Sequence, residues 1–505
     1  MPDLHPADPS ALNRARRGRE LADLAESGRA VDLLVIGGGI TGVGVALDAA
    51  TRGLSVALVE RHDLAFGTSR WSSKLAHGGL RYLATGNVGI ARESAVERGI
   101  LMTRTAPHLV RALPQVVPLL PTVSGFERAL VRTGFLAGDA LRCSAGTRAS
   151  VLPRSRHVAA AEAVALAPTM RRAGLRGGLV AWDGQLVDDA RLVVAIARTA
   201  AAHGAKILTR VGASEVIGTG ARLRDELTGE EFTMTARAVV SAAGVWAGQV
   251  DPGIRLRPSR GTHLVFDARS FGGLRASLTV PIPGTTNRFV FALPAPHGRV
   301  YLGLTDEEAP GPIPDVPAPT DGEVDFLLDT VNRALGTPLT RDDVVGRFAG
   351  LRPLLDTGDG DSADLSRSHA VIRGDSGLIS VVGGKLTTYR AMAEDAVDAA
   401  VASANLPAGR CRTRRLPVVG AAAAPSEGVS PLLFGRYGSE AAAIARADRT
   451  PVAAGIDVTR AEFAFAVTHE GALDADDVLD RRTRIGLVAA DRERVRAAAQ
   501  EAVAG

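Results

Sequence analysis

Apolar positions fall into two periods along this chain. Val31–Ile36 is a continuous apolar run, the pattern of a strand buried on both faces, and Ile40–Thr51 has helical spacing. Ser55–Val59 reads as a second strand, which completes a βαβ unit. Residues 60–83 are rich in Gly, Ser and Thr and read as a structured loop. Ile90–Ala106 has helical periodicity, and Asp188–His203 is a helix with acids at its start. Ala205–Val211 follows as a strand, and 213–240 alternates like a small meander that ends in the apolar strand Ala238–Ala242.

From about residue 255 to 355 the pattern changes to strands and turns. Thr262–Phe266, Arg288–Leu293 and Val300–Leu304 are expected to share one sheet. Residues 306–322 hold five prolines and several acids, a solvated connection, and Asp356–Ser368 is another polar loop. Leu378–Val382 returns to a buried strand with a helix after Gly384, and beyond Leu406 the chain is alanine- and arginine-rich with helical spacing. The division expected is a polar arm over 1–30, a nucleotide-binding unit over 31–254 and 369–405, a β-rich unit over 255–368, and a helical domain over 406–505.

Composition narrows the classes. The chain has 505 residues, 46% of them hydrophobic, enough for two or three domains. Its 59 basic and 55 acidic residues leave a formal +4, too weak over this length to imply nucleic-acid binding. Cys143 and Cys411 stand alone without any CxxC, so a disulfide framework, a zinc site or an iron–sulfur cluster is not expected. Redox chemistry would then need a bound cofactor. Lysine is rare: only Lys74, Lys206 and Lys385 break a basic complement that is otherwise arginine. An ammonium differs from a guanidinium in geometry, so a retained lysine draws notice.

The first 30 residues lack a signal-peptide core and read as a polar arm with one short helix. The most hydropathic run, Leu33 to Leu47, is too short to span a bilayer. Residues 128–156 interleave Arg128, Arg132, Arg142, Arg148, Arg154 and Arg156 with Leu130, Val131, Phe135, Leu136 and Leu141. A basic amphipathic segment of this kind suits a lipid interface, and equally a helix whose arginines face water.

The strongest local chemistry is Gly37-Gly38-Gly39-Ile40-Thr41-Gly42, placed after a strand and opening a helix. Gly37 permits the tight turn, Gly39 lets backbone approach a pyrophosphate, and Gly42 allows close helix–strand packing. The helix N-terminus offers N–H groups to phosphate. Glu60, 23 positions after Gly37, can accept from both ribose hydroxyls and disfavours a 2′-phosphate. Two further stretches favour FAD over NAD. The strand through Ala242 ends in the small residues Ala243 and Gly244 ahead of Trp246, and Gly383-Gly384-Lys385-Leu386-Thr387 starts a late helix where a long cofactor would end.

These motifs resemble FAD-dependent glycerol-3-phosphate dehydrogenase. The resemblance rests on Ile36 to Gly42, on Gly67-Thr-Ser69 with Ser72 to Leu83, on Val187 to Val193 and on Arg260-Gly-Thr-His263. It continues through Arg288-Phe-Val-Phe291, Gly303 to Asp306, Gly350 to Leu354 and Gly383 to Arg390. Arg436 to Ser439, Asp476-Asp477 and Arg481 to Arg484 match the C-terminal region, and the N-terminal arm lies outside the pattern.

The resemblance implies an α/β protein: an FAD-binding Rossmann-like domain, a β-rich substrate domain in a glutathione-reductase or amine-oxidase-like arrangement, and a C-terminal helical domain. It implies oxidation of sn-glycerol 3-phosphate to dihydroxyacetone phosphate, with electrons passing through FAD to a quinone. It also implies peripheral association with the inner face of the membrane; the scarce cysteines fit a reducing, cytoplasmic setting, a homodimer is left open, and no nucleic-acid partner is expected. The cofactor residues it marks are Gly37, Gly39, Ile40, Thr41, Gly42, Glu60, Thr68, Ser69, Ser73, Lys74, Leu75, His77, Gly78, Gly79, Ala243, Gly244, Gly384, Lys385, Leu386 and Thr387.

The resemblance makes Arg288 and Arg352, whose forks suit a phosphate, the expected substrate contacts, with Arg81 and Tyr82 completing the pocket. Arg260 joins them, although some relatives carry lysine there. His77 and His263 are the two candidate bases, with Arg288 beside them as a catalytic group. An arginine-lined electrostatic hole for the alkoxide is the alternative. Asp188, Asp189 and Arg191 are read as helix-start residues. No metal ligands are expected. The rival readings are a glycerol-3-phosphate or amine oxidase of the same fold using oxygen, a non-catalytic flavin-binding redox sensor, and an NAD-linked dehydrogenase.

Overall fold

A computed structural model describes residues 8–84, 86–121, 125–285, 288–356 and 368–505, the side chains of Ser27, Arg81, Ala84, Phe126 and Glu127 excepted. Asp356–Ser368, expected as a polar loop, lies mostly outside the described residues.

Two sheets organise the chain. In the first, Val31–Ile36 runs parallel to Val56–Glu60 on one side and to Glu231–Ser241 on the other. Lys206–Thr209 and Ile379–Gly383 extend it in parallel, and His369–Arg373 closes the edge antiparallel. Both faces are covered, which is why the first strand is apolar throughout. Leu33 and Val35 pack toward the Ile40–Thr51, Asp189–Ala202 and Tyr389–Ala404 helices, through Val43, Ile196 and Val397. Leu34 and Ile36 face the small meander, meeting Leu223 and Met234. The expected βαβ unit is present, and the meander is Val211–Ile217, Gly220–Asp225 and the start of Glu231–Ser241.

The second sheet is mostly antiparallel. Its spine is Leu256–Asp267, paired with Val344–Leu355 and with Arg299–Gly303, which in turn pairs with Phe289–Ala295. The three strands expected to share a sheet therefore do so. Its other half is drawn from earlier in the chain: Leu75–Ala76, Val110–Pro118, Arg156–Val158 and Gly178–Leu186. The two halves join where Ser277–Pro281 runs parallel to Val110–Pro118. Residues 31–254 thus do not form one unit as expected. Periodicity reports that a strand exists but not which sheet it joins.

The short helix expected in the N-terminal arm is present, but the segment is packed on the rest of the chain. Arg14–Ser27 is a helix that buries Leu24 against the meander side of the first sheet, and Arg17 is ion-paired with Asp225. Leu12 bridges to Glu470. Beyond Leu406 the elements are helical, and this region meets the rest through buried charges. Asp63 is gripped by Arg482 at 2.7 and 2.8 Å and by Arg481, Arg191 binds Glu470, and Arg198 binds Glu440 in a two-pronged contact. Among the described residues no helix is long and apolar enough to cross a membrane.

Candidate active site

The carboxyl ends of the first-sheet strands open into a cavity of about 1380 Å³ that continues to the face of the second sheet. At the crevice end its wall includes Gly37, Gly39, Ile40, Thr41, Glu60, Ala243 and Gly244. Gly37 has φ +108°, and a Cβ there would stand 2.6 Å from the Ala242 carbonyl oxygen. Gly42 is not on the wall. A Cβ on it would lie 1.8 Å from the Gly37 carbonyl oxygen, so this glycine lets the helix press against the turn. The Ile40 N–H donates to the Ser69 hydroxyl at 2.9 Å, which brings the 67–75 loop over the helix N-terminus. Glu60 accepts from the Gly38 N–H at 2.6 Å and the His62 N–H at 2.8 Å, and burial raises its carboxyl above the usual value.

The middle of the wall carries Thr68, Ser69, Ser73, Leu75 and His77 from one side and Gly384, Lys385, Leu386 and Thr387 from the other. The Thr68 hydroxyl is committed to the Leu351 carbonyl at 2.6 Å. Lys385 donates to Ser94 at 2.8 Å and sits 3.6 Å from the centroid of the Tyr82 ring. Tyr82 lies beside His77 with 6.3 Å between ring centroids, and both line the cavity.

Four residues expected at the cofactor lie off the wall: Gly42, which serves packing, and three more. Lys74 is buried and turned from the cavity, its Nζ 2.9 Å from Asp189. Gly78 donates its N–H to Asp183 at 3.0 Å, and a Cβ there would strike Arg98. Gly79, with φ +77°, packs on Ala91. The sequence run holding these residues is continuous, but Lys74, Gly78 and Gly79 are turned away while Ser72, Ser73, Leu75 and His77 face the cavity.

At the far end Arg288, Arg352 and His263 share the wall with Phe289 and Phe291. Among the described residues Arg288 makes no ion pair or side-chain hydrogen bond, the state of a cation ready for an anionic ligand. Arg352 is held by Asp306 and Ser259, each at 3.0 Å, and by the Thr305 carbonyl at 3.1 Å. Arg260 is not on this wall. It is engaged with Glu323 at 2.8 Å, and Glu323 also caps the Asp321–Asn332 helix. The Arg81 side chain lies outside what is described.

His263 Nε2 is 2.8 Å from the Ser73 hydroxyl, and its ring stacks on Phe348 at 4.7 Å. Burial, with Lys74 and Arg352 nearby, pulls its imidazole down to about 3, so it is uncharged at neutral pH. Its Nδ1 is buried with no hydrogen-bond partner among the described residues, and the same is true of Nε1 on Trp71, another wall residue.

Sequence reasoning missed Asp183, Asp306, Trp71 and Phe348. Asp306 and Trp71 fall inside or beside quoted runs and carried no separate signal. The Gly125–Ser144 helix is a further surprise. Leu130, Val131, Gly134 and Phe135 form part of the cavity wall. Of the arginines in 128–156, Arg132 binds Ser155, Arg142 binds the Thr147 carbonyl, and Arg156 pairs with Glu162.

The arrangement fits an extended dinucleotide. Two glycine turns lie at separate points of one wall, a helix N-terminus and a carboxylate stand at the crevice end, and cations gather at the other. A parallel-sheet crevice opening onto a second antiparallel sheet is the build of a flavin-dependent oxidoreductase. Residues 32–390 match the family described as "FAD dependent oxidoreductase", and 411–504 match "C-terminal domain of alpha-glycerophosphate oxidase". The chain is 66% identical to glycerol-3-phosphate dehydrogenase 1 of Mycobacterium bovis, over 97% of this chain and 98% of that one. It is 38% identical to glycerol-3-phosphate dehydrogenase 2 of the same organism, over 90% and 81% respectively. The solved glycerol-3-phosphate dehydrogenase of Bacillus halodurans, complexed with FAD, superposes with a TM-score of 0.73 at 28% identity, over 97% of this chain and 94% of that one. The chain belongs to the FAD-dependent glycerol-3-phosphate dehydrogenase family.

Proposed function

We propose that this protein oxidises sn-glycerol 3-phosphate to dihydroxyacetone phosphate with FAD in the cavity and passes the electrons to a quinone. The observation that carries this is the Arg288 guanidinium, without an ionic partner among the described residues, on the same wall as the two glycine turns. A fork without an internal carboxylate is suited to a phosphate dianion, and clamping it fixes the secondary alcohol against the flavin ring. Bound FAD supplies the hydride acceptor. The chain's own residues hold the ends: Gly37, Gly39 and the Ile40 helix start receive the pyrophosphate, and Glu60 the ribose.

The hydroxyl proton goes to His77. His263 is too strongly desolvated to gain charge, since Lys74 and Arg352 both oppose an imidazolium. His263 instead orients the hydroxyl, and Arg352, fixed by Asp306, favours the developing alkoxide.

The Gly125–Ser144 helix supports an apolar acceptor and contact with the inner face of the membrane. It exposes Leu136, and the part-exposed Leu130 lies at the cavity wall with Val131, Gly134 and Phe135. The C-terminal match described for an alpha-glycerophosphate oxidase favours a second reading, with oxygen as acceptor. Anaerobic addition of glycerol 3-phosphate to the purified protein is the test. Bleaching of the flavin absorbance is expected, and an unchanged spectrum refutes the reaction. Quinone reduction by membranes against peroxide formed in air separates the acceptors.

A further inference from the structure

Lys74 is a lysine in a chain whose basic residues are almost all arginine, and its surroundings explain the choice. Nζ donates to the Arg70 carbonyl at 2.9 Å, the Ser72 carbonyl at 3.0 Å and Asp189 Oδ2 at 2.9 Å. Three acceptors around one nitrogen use all three protons of an ammonium, a set that a planar guanidinium does not match. The pair is sealed from water, with the Lys74 side chain 2% exposed and that of Asp189 0%. Asp189 also takes the N–H and hydroxyl of Ser72, and the Ser72 hydroxyl accepts the Lys74 N–H. The backbone at Lys74 is left-handed, φ +57°, so the 70–74 loop is tied around this one nitrogen.

The knot has two outputs, and both end on His263. Between Ser72 and Lys74 the chain presents Ser73, whose hydroxyl meets His263 Nε2 at 2.8 Å. Nζ itself lies 4.9 Å from the centroid of the Phe348 ring, and that ring is stacked on His263 with only 7° between planes. The edge and the face of the imidazole are therefore both set by contacts that converge on Lys74. The charges around His263 are Lys74 and Arg352 on the positive side and Asp189 on the negative. Asp306 is paired with Arg352, Arg484 and Asp188 form a pair behind Asp189, and Tyr301 meets the Phe348 ring edge-on.

We propose that Lys74 is a positioning residue for the reaction: from outside the cavity it holds the His263 ring in one orientation facing the substrate. The inference rests on the reading that His263 faces glycerol 3-phosphate, and its test needs no substrate. Flavin-loaded protein carrying [13Cε1]histidine is titrated by NMR, with His263→Asn identifying the signal. In the unaltered protein the His263 signal is expected to stay at its neutral position down to about pH 5. In Lys74→Met its midpoint moves up by roughly one pH unit or more, whereas Lys74→Arg, which retains charge, leaves it low.

Lys74→Arg is the control for loss of packing: it disturbs the three-acceptor knot but keeps the charge, so a His263 midpoint that rises there as far as in Lys74→Met reports entry of water and overturns the proposal. An unchanged His263 midpoint in flavin-loaded Lys74→Met overturns the proposal. If that variant does not fold, Ser73→Ala decides: it leaves the ion pair intact and is expected to shift the His263 signal and lower kcat at full flavin content. An unmoved signal and unchanged kcat overturn the proposal there. If His263→Asn turns over normally while the titration behaves as expected, the reading of His263 as a substrate contact fails and the Lys74 linkage stands.

Discussion

The two ends of the cavity are built from different materials. At the crevice end the contacts offered are largely backbone: a glycine turn, a helix N-terminus and one carboxylate, contributed by Ile36 to Glu60 in a single βαβ stretch. At the reaction end they are side chains: Arg288, His263 and Arg352 from three stretches of chain that one sheet brings together. Backbone recognition demands the absence of side chains and tolerates little change. Side-chain recognition demands the right group and leaves its neighbours freer. The first end is therefore expected to fail by losing the cofactor, and the second by losing turnover with the cofactor in place.

Four measurements press on this difference. Gly42→Ala would put a Cβ 1.8 Å from the Gly37 carbonyl oxygen, so purified protein is expected to lack visible flavin absorbance altogether. Retention of flavin at normal stoichiometry would mean that the turn is softer than its packing implies. Arg288→Ala should keep its flavin yet lose about 10²–10³-fold in kcat/KM for glycerol 3-phosphate, the size expected for removing one charged contact at a reacting end. Loss of flavin there would erase the contrast between the two ends.

A smaller effect is proton-linked. His263 and His108 are both pulled down to about 3 by burial in the folded chain. The unfolded chain binds protons at these sites near pH 6.5 while the folded one does not, so stability is present above that pH and is lost as pH falls toward the folded values. Going from about pH 7.5 to about pH 5.5 should remove roughly 1 kcal/mol per histidine, read by urea unfolding, and His263→Asn should remove its share of the slope. The smallest change is expected from Arg260→Ala. Its guanidinium is engaged with Glu323 away from the wall, so KM should change less than about threefold. A large rise in KM would return Arg260 to the substrate.

Most of the crevice end was legible in the sequence, because spacing alone fixes which residues of a strand–turn–helix unit meet a ligand. Gly37, Gly39 and Glu60 stand where their spacing placed them. The reaction end was legible only as a set of names. Arg260 and Arg352 lie directly across from Leu351 and Ser259 on paired strands, yet one arginine turns to Glu323 and the other to the cavity. That choice is made by the capping carboxylate of a helix some sixty residues later, which no local pattern carries. Lys74 shows the same limit. Its rarity marked it, but being buried beneath the wall and being on the wall look alike in a linear motif. The membership of Val110–Pro118 and Gly178–Leu186 in the second sheet was hidden for a related reason: alternation names a strand's faces and not its neighbours.

The seam between the helical region after Leu406 and the rest of the chain has an evolutionary corollary. Asp63, Arg191 and Arg198 on one side are matched to Arg481, Arg482, Glu470 and Glu440 on the other, all out of reach of water. An apolar seam can drift one substitution at a time, but here any single exchange strands a charge. The tail is thus not a detachable module: a graft from a distant relative would have to import its ionic counterparts as a set, and the two halves are bound to change in step.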